Sequence, residues 1–366
     1  MSKKIPDRNS KLLSEENVRL NILPSYGLTN CNIEQIKFKD SLKQRAVYKV
    51  SESSTKKYCL KKVYYGIGEL LFTYSAVEWW NKKGVNVPIF IPTASGGRFI
   101  SYENMLFILT PWIHGSKLDY DNLDSFIETG NNLAYMHKVG QNFKPINGST
   151  LKMQNSNPFK SITKRHLTLI NYYNSALNLE DTFSKFYIKY FDKILQLSFM
   201  AYKISSTINY SNLTTSLCHM DYVNKNILFD NNNKVWVIDF DNCKITPVGN
   251  DICHSLRRYL KRSSTLWNFD TARLWLEIYN RTNPLNHDDF KFIYMSLVFP
   301  QKIWKLTRDY YKNYRKCNKN AFAHLLEQSL ATIDTKITFA LDFELELDHL
   351  VSAFKNSPKF FIDLSN

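Results

Sequence analysis

No run in this 366-residue chain approaches the roughly 18 apolar residues of a membrane span, so no spanning helix and no membrane partner are expected. The opening MSKKIPDRNSKLLSEENVRL has neither an apolar core nor a cleavage pattern, which argues against a secretory signal. None of the six cysteines (Cys31, Cys59, Cys218, Cys243, Cys253, Cys317) forms a C-x-x-C pair. Several sit in apolar runs such as YCLKKV and SLCHMD, so buried free thiols in a reducing compartment are expected rather than disulfides. Cys253-His254 would be half of a zinc site, and no second pair stands at ligand spacing. Internal repeats are absent, and the only low-complexity tract is NNNK at 231–234, a hairpin-tip composition. No basic motif with interleaved aromatics appears, so nucleic acid is not an expected partner.

What is present is an aromatic-rich globular composition, 44% apolar and 14% aromatic, in a chain long enough for two domains or one bilobed unit. Formal net charge is +15. Residues 1–115 hold 17 Lys+Arg against 9 Asp+Glu, and residues 116–366 hold 31 against 24, so the excess is spread over the chain. It suits an anionic ligand or surface. A Lys- and Asn-rich compositional bias would give the same count.

Hydropathy patterning divides the chain into a polar N-terminal stretch (1–20), read as a loose lead-in or a surface helix, a small sheet-bearing lobe (21–115) and a mainly helical lobe (116–366). NIEQIKF, RAVYKV and KYCLKKV alternate like strands, GELLFTYSAVEWWNKK has helical spacing, and VNVPIFIPT, GRFISYE and MLFILTPWI read as further strands. NLDSFIETGNNLAYMHKV is then a helix, 141–165 a basic loop, and helices are expected over 166–178, 181–208, 251–262, 268–281, 287–298, 300–317, 319–334 and 338–355. The carboxylates of DFELELD (342–348) read as a solvated face, or as a patch for a cationic ligand.

One stretch carries chemistry: HMDYVNKNILFDNNNKVWVIDFDNC, residues 219–243. Phosphoryl transfer needs a carboxylate to take the acceptor hydroxyl's proton, and hard oxygens to hold a divalent cation at the phosphates. The H-R-D-x-x-x-x-N solution places a hairpin and a second Asp after the Asn. Here His219-Met220-Asp221 is followed by Asn226, then by two hairpin-like strands, then by Asp239. The hairpin would return Asp239 towards Asn226, so that both could meet one Mg²⁺. An Asp directly after the apolar VWVI is costly unless a cation meets it. His219 is expected to brace the loop by hydrogen-bonding backbone rather than to carry protons.

The LCHMDYVNKNIL…VWVIDFDNC block resembles the aminoglycoside phosphotransferase/choline kinase family, which shares the protein-kinase fold. Within it YCLKKV, the GELLF helix, GVNVPIFIPTASGGRFISY, LFILTPWIHG, NNLAYMH and NDICHSLRRYLKR look most like the spore-coat S-type (CotS-like) branch of spore-forming bacteria. The likeness covers roughly residues 22–360. It implies an α+β, bilobed, protein-kinase-like fold: a small antiparallel-sheet N-lobe with one helix, and a larger, mainly helical C-lobe. It implies ATP and Mg²⁺ as cofactors, Asp221 as the catalytic carboxylate, Asn226 and Asp239 as metal ligands, and Asp241 in a weaker metal or structural role. Lys61 would grip the α/β-phosphates, with Glu69 as its partner or Glu78 in its place; strand alternation puts Cys59 and Lys61 on one face and Lys62 on the other, where a solvated role is expected. A hinge over Leu109-Thr110-Pro111-Trp112-Ile113 would bind adenine through its backbone, and His137 would pack or cap. The family's phosphate-covering turn falls in KFKDSLKQRA, which has no glycine, so Ser41 and Lys43 are the candidates there.

The expected activity is transfer of the ATP γ-phosphate to a hydroxyl of a small molecule or saccharide. The protein would be made in the mother cell, deposited in the spore coat and associated with other coat proteins. A catalytically silent coat scaffold is the alternative, and the complete Asp221/Asn226/Asp239 set weighs against it. A protein kinase is disfavoured because no A-P-E-like segment follows IDFD. Arg257 and Arg258 could meet an anionic acceptor or pair with surface carboxylates.

Overall fold

A computed structural model describes residues 11–39, 44–154 and 157–355. Contacts divide the chain into two compact units. The first runs as far as Leu118 and adds Asn142–Lys152 and Asn224–Cys243; the second takes Asp119–Gln141, Met153–Val223 and the chain from Lys244 onward.

The first unit is built on an antiparallel sheet of β1 (Asn32–Lys39), β2 (Arg45–Ser51), β3 (Lys57–Lys62), β4 (Ile100–Tyr102) and β5 (Met105–Pro111), in the order β1-β2-β3-β5-β4. Alternation sets its faces: Ala46, Tyr48 and Val50 of β2 are buried, and the residues between them are partly exposed. Those side chains meet Leu60, Phe107 and Leu109 and also Leu13, Val18, Ile22 and Leu23. The N-terminal stretch is therefore no loose lead-in from residue 11 onward. Helix α1 (Glu15–Asn21), capped by the Ser14 side chain, helps to plug one face of the sheet. Each such aliphatic side chain contributes about 1.5–3 kcal/mol when fully buried, a gain of the same order as the cost of ordering the short helix. Helix α2 (Ile67–Lys82) buries Leu70, Phe72, Ala76, Val77 and Trp80.

VNVPIFIPT forms no strand. Pro88 and Pro92 remove two backbone donors, and what remains is local bonding such as Ile91 N–H to the Leu109 carbonyl. The 142–152 part of the basic loop packs into the first unit, with Phe143 edge-on to Phe72 and Trp79 and the Thr150 N–H donating to the Gly68 carbonyl. Strand β6 (Ser116–Lys117) also belongs here.

The second unit begins with α3 (Leu123–Gly140) and continues with α4 (Pro158–Ala176), α5 (Thr182–Lys189) and α6 (Phe191–Ser205). Helix α4 starts well before 166 because Asn157 caps it and Pro158 occupies its first turn. After β7 (Thr215–Cys218) the chain enters the first unit as the hairpin β8 (Ile227–Phe229) and β9 (Val235–Val237), then returns as β10 (Lys244–Pro247). Strands β7 and β10 pair antiparallel with Cys218 opposite Lys244, so they close off residues 219–243 as one excursion. The helices α7 (Gly249–Leu260), α8 (Phe269–Thr282), α9 (His287–Val298), α10 (Gln301–Lys312), α11 (Lys319–Leu330) and α12 (Ile333–Lys355) complete the unit. Asn side chains cap α3, α4, α8, α9 and α11. The acidic run lies on α12, where Phe343 and Leu347 turn inward and Glu344 outward, consistent with a solvated face. All six cysteines are free, four of them buried. No helix among the described residues is long and apolar enough to cross a membrane.

Strand β8 pairs with both β9 and β6. The approach to β6 is made by Gly115, where a Cβ would stand 2.5 Å from the Phe229 carbonyl oxygen. Gly115→Ala must therefore push the hairpin aside. It is expected to cost about 1–3 kcal/mol, read as a lowered denaturation midpoint at unchanged m-value.

Candidate active site

In the first unit the β8–β9 ladder sets the geometry. Ile227 faces Val237, and the Ile238 N–H donates to the Asn226 carbonyl at 2.9 Å, so Asn226 and Asp239 leave the same end of the hairpin. The tip is held by Asp230, whose carboxylate accepts from the N–H groups of Asn232 and Lys234 and from the Trp236 indole. Asp239 itself sits in the left-handed region, φ 67°. That is tolerable for Asp but still costs about 1 kcal/mol or more, a strain typical of functional positions.

Lys61 reaches this point from β3. Its Nζ lies 2.6 Å from Asp239 Oδ1 and 2.8 Å from Asp241 Oδ1. Burial disfavours its charge, but the Asp241 and Asp239 carboxylates outweigh that and raise its pKa. Asp241 is a hub. Tyr65 donates to Oδ1 at 3.1 Å, Lys152 to its carbonyl at 2.9 Å, and Arg45 stands 3.8 Å from Oδ2. That last distance is too long for a hydrogen bond, so Asp241 Oδ2 is a buried carboxylate oxygen with none. Two carboxylates and a nearby amide residue, with one buried oxygen lacking a hydrogen bond, make a hard-oxygen set that fits a divalent cation.

Several expectations need correction. Lys61 pairs with neither Glu69, in the first turn of α2, nor Glu78, farther along that helix; its partners are the two aspartates. Lys62 is not solvated. Its Nζ donates to the Gln44 carbonyl at 2.9 Å, and burial pushes its ammonium below the usual lysine range. Alternation placed it on the opposite face but did not show that residue 44 covers that face. At the proposed hinge the Leu109 carbonyl already accepts from Ile91, and the Trp112 N–H donates to the Lys57 carbonyl, so both groups are engaged. Ile113 lies just beyond β5, outside the ladder. Ser41 and Lys43 lie outside the described residues.

In the second unit the loop after β7 carries His219 and Asp221. The Asp221 N–H donates to His219 Nδ1 at 3.1 Å, so His219 braces the loop as expected, and the proton of its neutral ring sits on Nε2. Met220 between them is left-handed, φ 65°. The clamp that holds this strained turn is Asp251 in the first turn of α7. Its carboxylate accepts from the N–H groups of both His219 and Met220 at 2.6 Å. One turn on, His254 Nδ1 lies 3.2 Å from the Met220 carbonyl. His137 Nε2 donates to Asp251 Oδ2 at 3.2 Å, and its Nδ1 accepts from the Tyr279 hydroxyl at 2.7 Å. His137, Cys218 and Asp251 lie close enough to hold an ion, but these bonds already satisfy the carboxylate. His137 thus belongs to a buried polar network rather than to simple packing. Arg257 donates to the Ser296 carbonyl at 2.6 Å, and neither it nor Arg258 pairs with a carboxylate among the described residues.

Asp251 is fully buried. Burial would raise its carboxyl, but the hydrogen bonds from His137 and from the Met220 N–H outweigh this and hold it below its ordinary value. A depressed carboxylate contributes stability above its unfolded pKa of about 4, and that stability is lost as pH falls through the folded value. Asp251→Ala strands two N–H donors and a histidine and is expected to cost about 3–5 kcal/mol in urea unfolding at pH 7, with the gap to wild type narrowing below about pH 4.

Arg45, Tyr65, Lys152 and Asp251 were not foreseen as site residues. For Asp251 the signal was an acid in the first turn of the helix that follows the excursion. The other three had none, because their contacts link residues about 90 or more positions apart.

The profile of the phosphotransferase enzyme family matches residues 41–285. Solved structures are similar to the chain over most of its length. An aminoglycoside phosphotransferase from Alicyclobacillus acidocaldarius is 16% identical over 86% of this chain and 95% of its own, with a TM-score of 0.72. A spectinomycin phosphotransferase solved with ADP and spectinomycin is 17% identical over 92% and 99%, with a TM-score of 0.61. An amicoumacin kinase solved with AMP-PNP and Ca²⁺ is 16% identical over 89% and 96%, with a TM-score of 0.60. At these identities the likeness establishes the mixed α+β, protein-kinase-like fold.

Proposed function

Because the chain belongs to the phosphotransferase enzyme family, we propose that it transfers the γ-phosphoryl group of ATP, with Mg²⁺, to a hydroxyl of a small molecule or saccharide. The observation that carries this reading is the Lys61 ammonium held against Asp239 and Asp241, with one buried Asp241 oxygen lacking a hydrogen bond. Asn226, Asp239 and Asp241 would hold the cation, which when bound neutralises phosphate charge. Lys61 would give up part of its carboxylate contact for phosphate oxygens, and the backbone about Ile113 would meet the base. As the acceptor oxygen forms its bond to phosphorus, the bond to the ADP oxygen breaks and ADP leaves with that electron pair. The acceptor's O–H proton passes to an Asp221 carboxylate oxygen. His219 and Asp251 keep Asp221 in place and take no proton in this step.

The N-terminal phrases that resemble the spore-coat branch support a place in the coat of a spore-forming bacterium, reached from the mother cell, with other coat proteins as neighbours. Calorimetric titration of ATP with and without Mg²⁺ tests the chemistry. Binding that strengthens at least tenfold with the metal is expected, and metal-independent binding would refute it. Fluorescence of a tagged protein on the developing forespore tests the location.

A further inference from the structure

Phosphotransferases that accept polycations need carboxylates around the acceptor. The second unit offers the reverse along α7. His254, which touches the catalytic loop at the Met220 carbonyl, is followed on the same helical face by Arg257 and Arg258 and then by Lys261. Seven residues of helix from His254 to Lys261 span about 10 Å. Lys336 of α12 donates to the Phe299 carbonyl at 3.0 Å, three residues beyond the Ser296 carbonyl that Arg257 uses. Lys302 and Lys305 lie on the first turns of α10.

No carboxylate among the described residues forms an ion pair with any of these six cations. The bland account is that Arg257 and Lys336 cap the C-terminal end of α9, where helix carbonyls favour positive charge. It covers one donor of each. It leaves Arg257 Nε buried without a hydrogen bond and says nothing of Arg258, Lys261, Lys302 and Lys305. The group is electrostatically unrelieved. Burial, with Arg257 and Lys261, pushes Lys336 well below the lysine range. Cations gathered at such cost call for an anion.

We propose that the acceptor is itself an anion, a hydroxyl compound carrying a phosphate, sulfate or carboxylate group that the Arg257–Lys261 stripe and Lys336 hold one to two helical turns from the loop bearing Asp221. This rests on the phosphotransferase reading for the hydroxyl and on the stripe alone for the anion. Arg258 and Lys261 are exposed, so Arg258→Ala/Lys261→Ala keeps the fold, as its thermal unfolding will show. Calorimetry with inorganic phosphate is expected to detect binding to wild type, weakened at least tenfold in the double variant and kept in Lys61→Met. Absent binding, unchanged binding in the double variant, or loss in Lys61→Met alone overturns the proposal. ADP release is then measured with sugar phosphates, sugar acids, neutral sugars and amino sugars. Turnover of the anionic classes, with KM raised at least tenfold in the double variant and kcat within twofold, supports the proposal. Preference for neutral or amino sugars overturns it and leaves the phosphotransferase reading intact. Phosphate binding lost in the double variant, with no ADP formed from any compound, would uphold the anion site while the phosphotransferase reading falls.

Discussion

Asp239→Ala is expected to abolish most of the metal-dependent part of nucleotide binding. Wild type is expected to bind ATP weakly alone and more tightly with Mg²⁺, because hard-cation affinity rests on the charged oxygens of Asp239 and Asp241. Removing one charge-assisted ligand costs about 2–3 kcal/mol, roughly 30- to 150-fold in affinity. Lys61 adds to the loss. With Asp239 gone its ammonium is drawn fully to Asp241 and competes there with the cation. Two effects are mixed in the alanine variant, since alanine is disfavoured at φ 67° and also loosens the turn. Asp239→Asn separates them. Asparagine adopts the left-handed conformation readily and keeps a neutral oxygen, so it should preserve thermal stability and still lose most of the Mg²⁺ response. Titrations of both variants that match wild type with Mg·ATP would remove Asp239 from the metal site.

Much of this geometry was legible because it is local. The spacing of His219, Asp221, Asn226 and Asp239 encodes a turn and a short hairpin, and a hairpin's register follows from its own sequence. What was missed depends on contacts distant in sequence. Strands β7 and β10 have four residues each, too few for a periodic signal, and their pairing joins positions 26 apart at Cys218 and Lys244 and more behind them. Asp251 is one of several acids near helix starts in the sequence; only the left-handed Met220 turn explains why this one is buried. Lys62 shows the limit of alternation, which assigns a face without showing what covers it. The 85–93 stretch shows the opposite limit, where β-rich composition gives way to two prolines.

Asp221→Asn is expected to leave Mg·ATP affinity within twofold while slowing ATP turnover about 100- to 10,000-fold, the range for removing a positioned general base. The separation has a structural reason. Lys61, Asp239 and Asp241 form their cluster within the first unit, and Asp221 belongs to the second. The substitution is also nearly isosteric. The Asp221 N–H still donates to His219, and the Asp251 clamp on His219 and Met220 acts through backbone that the change does not touch. Loop geometry and fold should therefore survive, and the change expected is loss of the carboxylate that would accept the hydroxyl proton. Where no acceptor is supplied, water takes its place and slow ATP hydrolysis reports the same step. Equal hydrolysis by wild type and variant would remove Asp221 as the base. Slowed hydrolysis with a matching loss of Mg·ATP affinity would instead make it a part of nucleotide binding, because a base that acts only on the acceptor has no reason to weaken the donor.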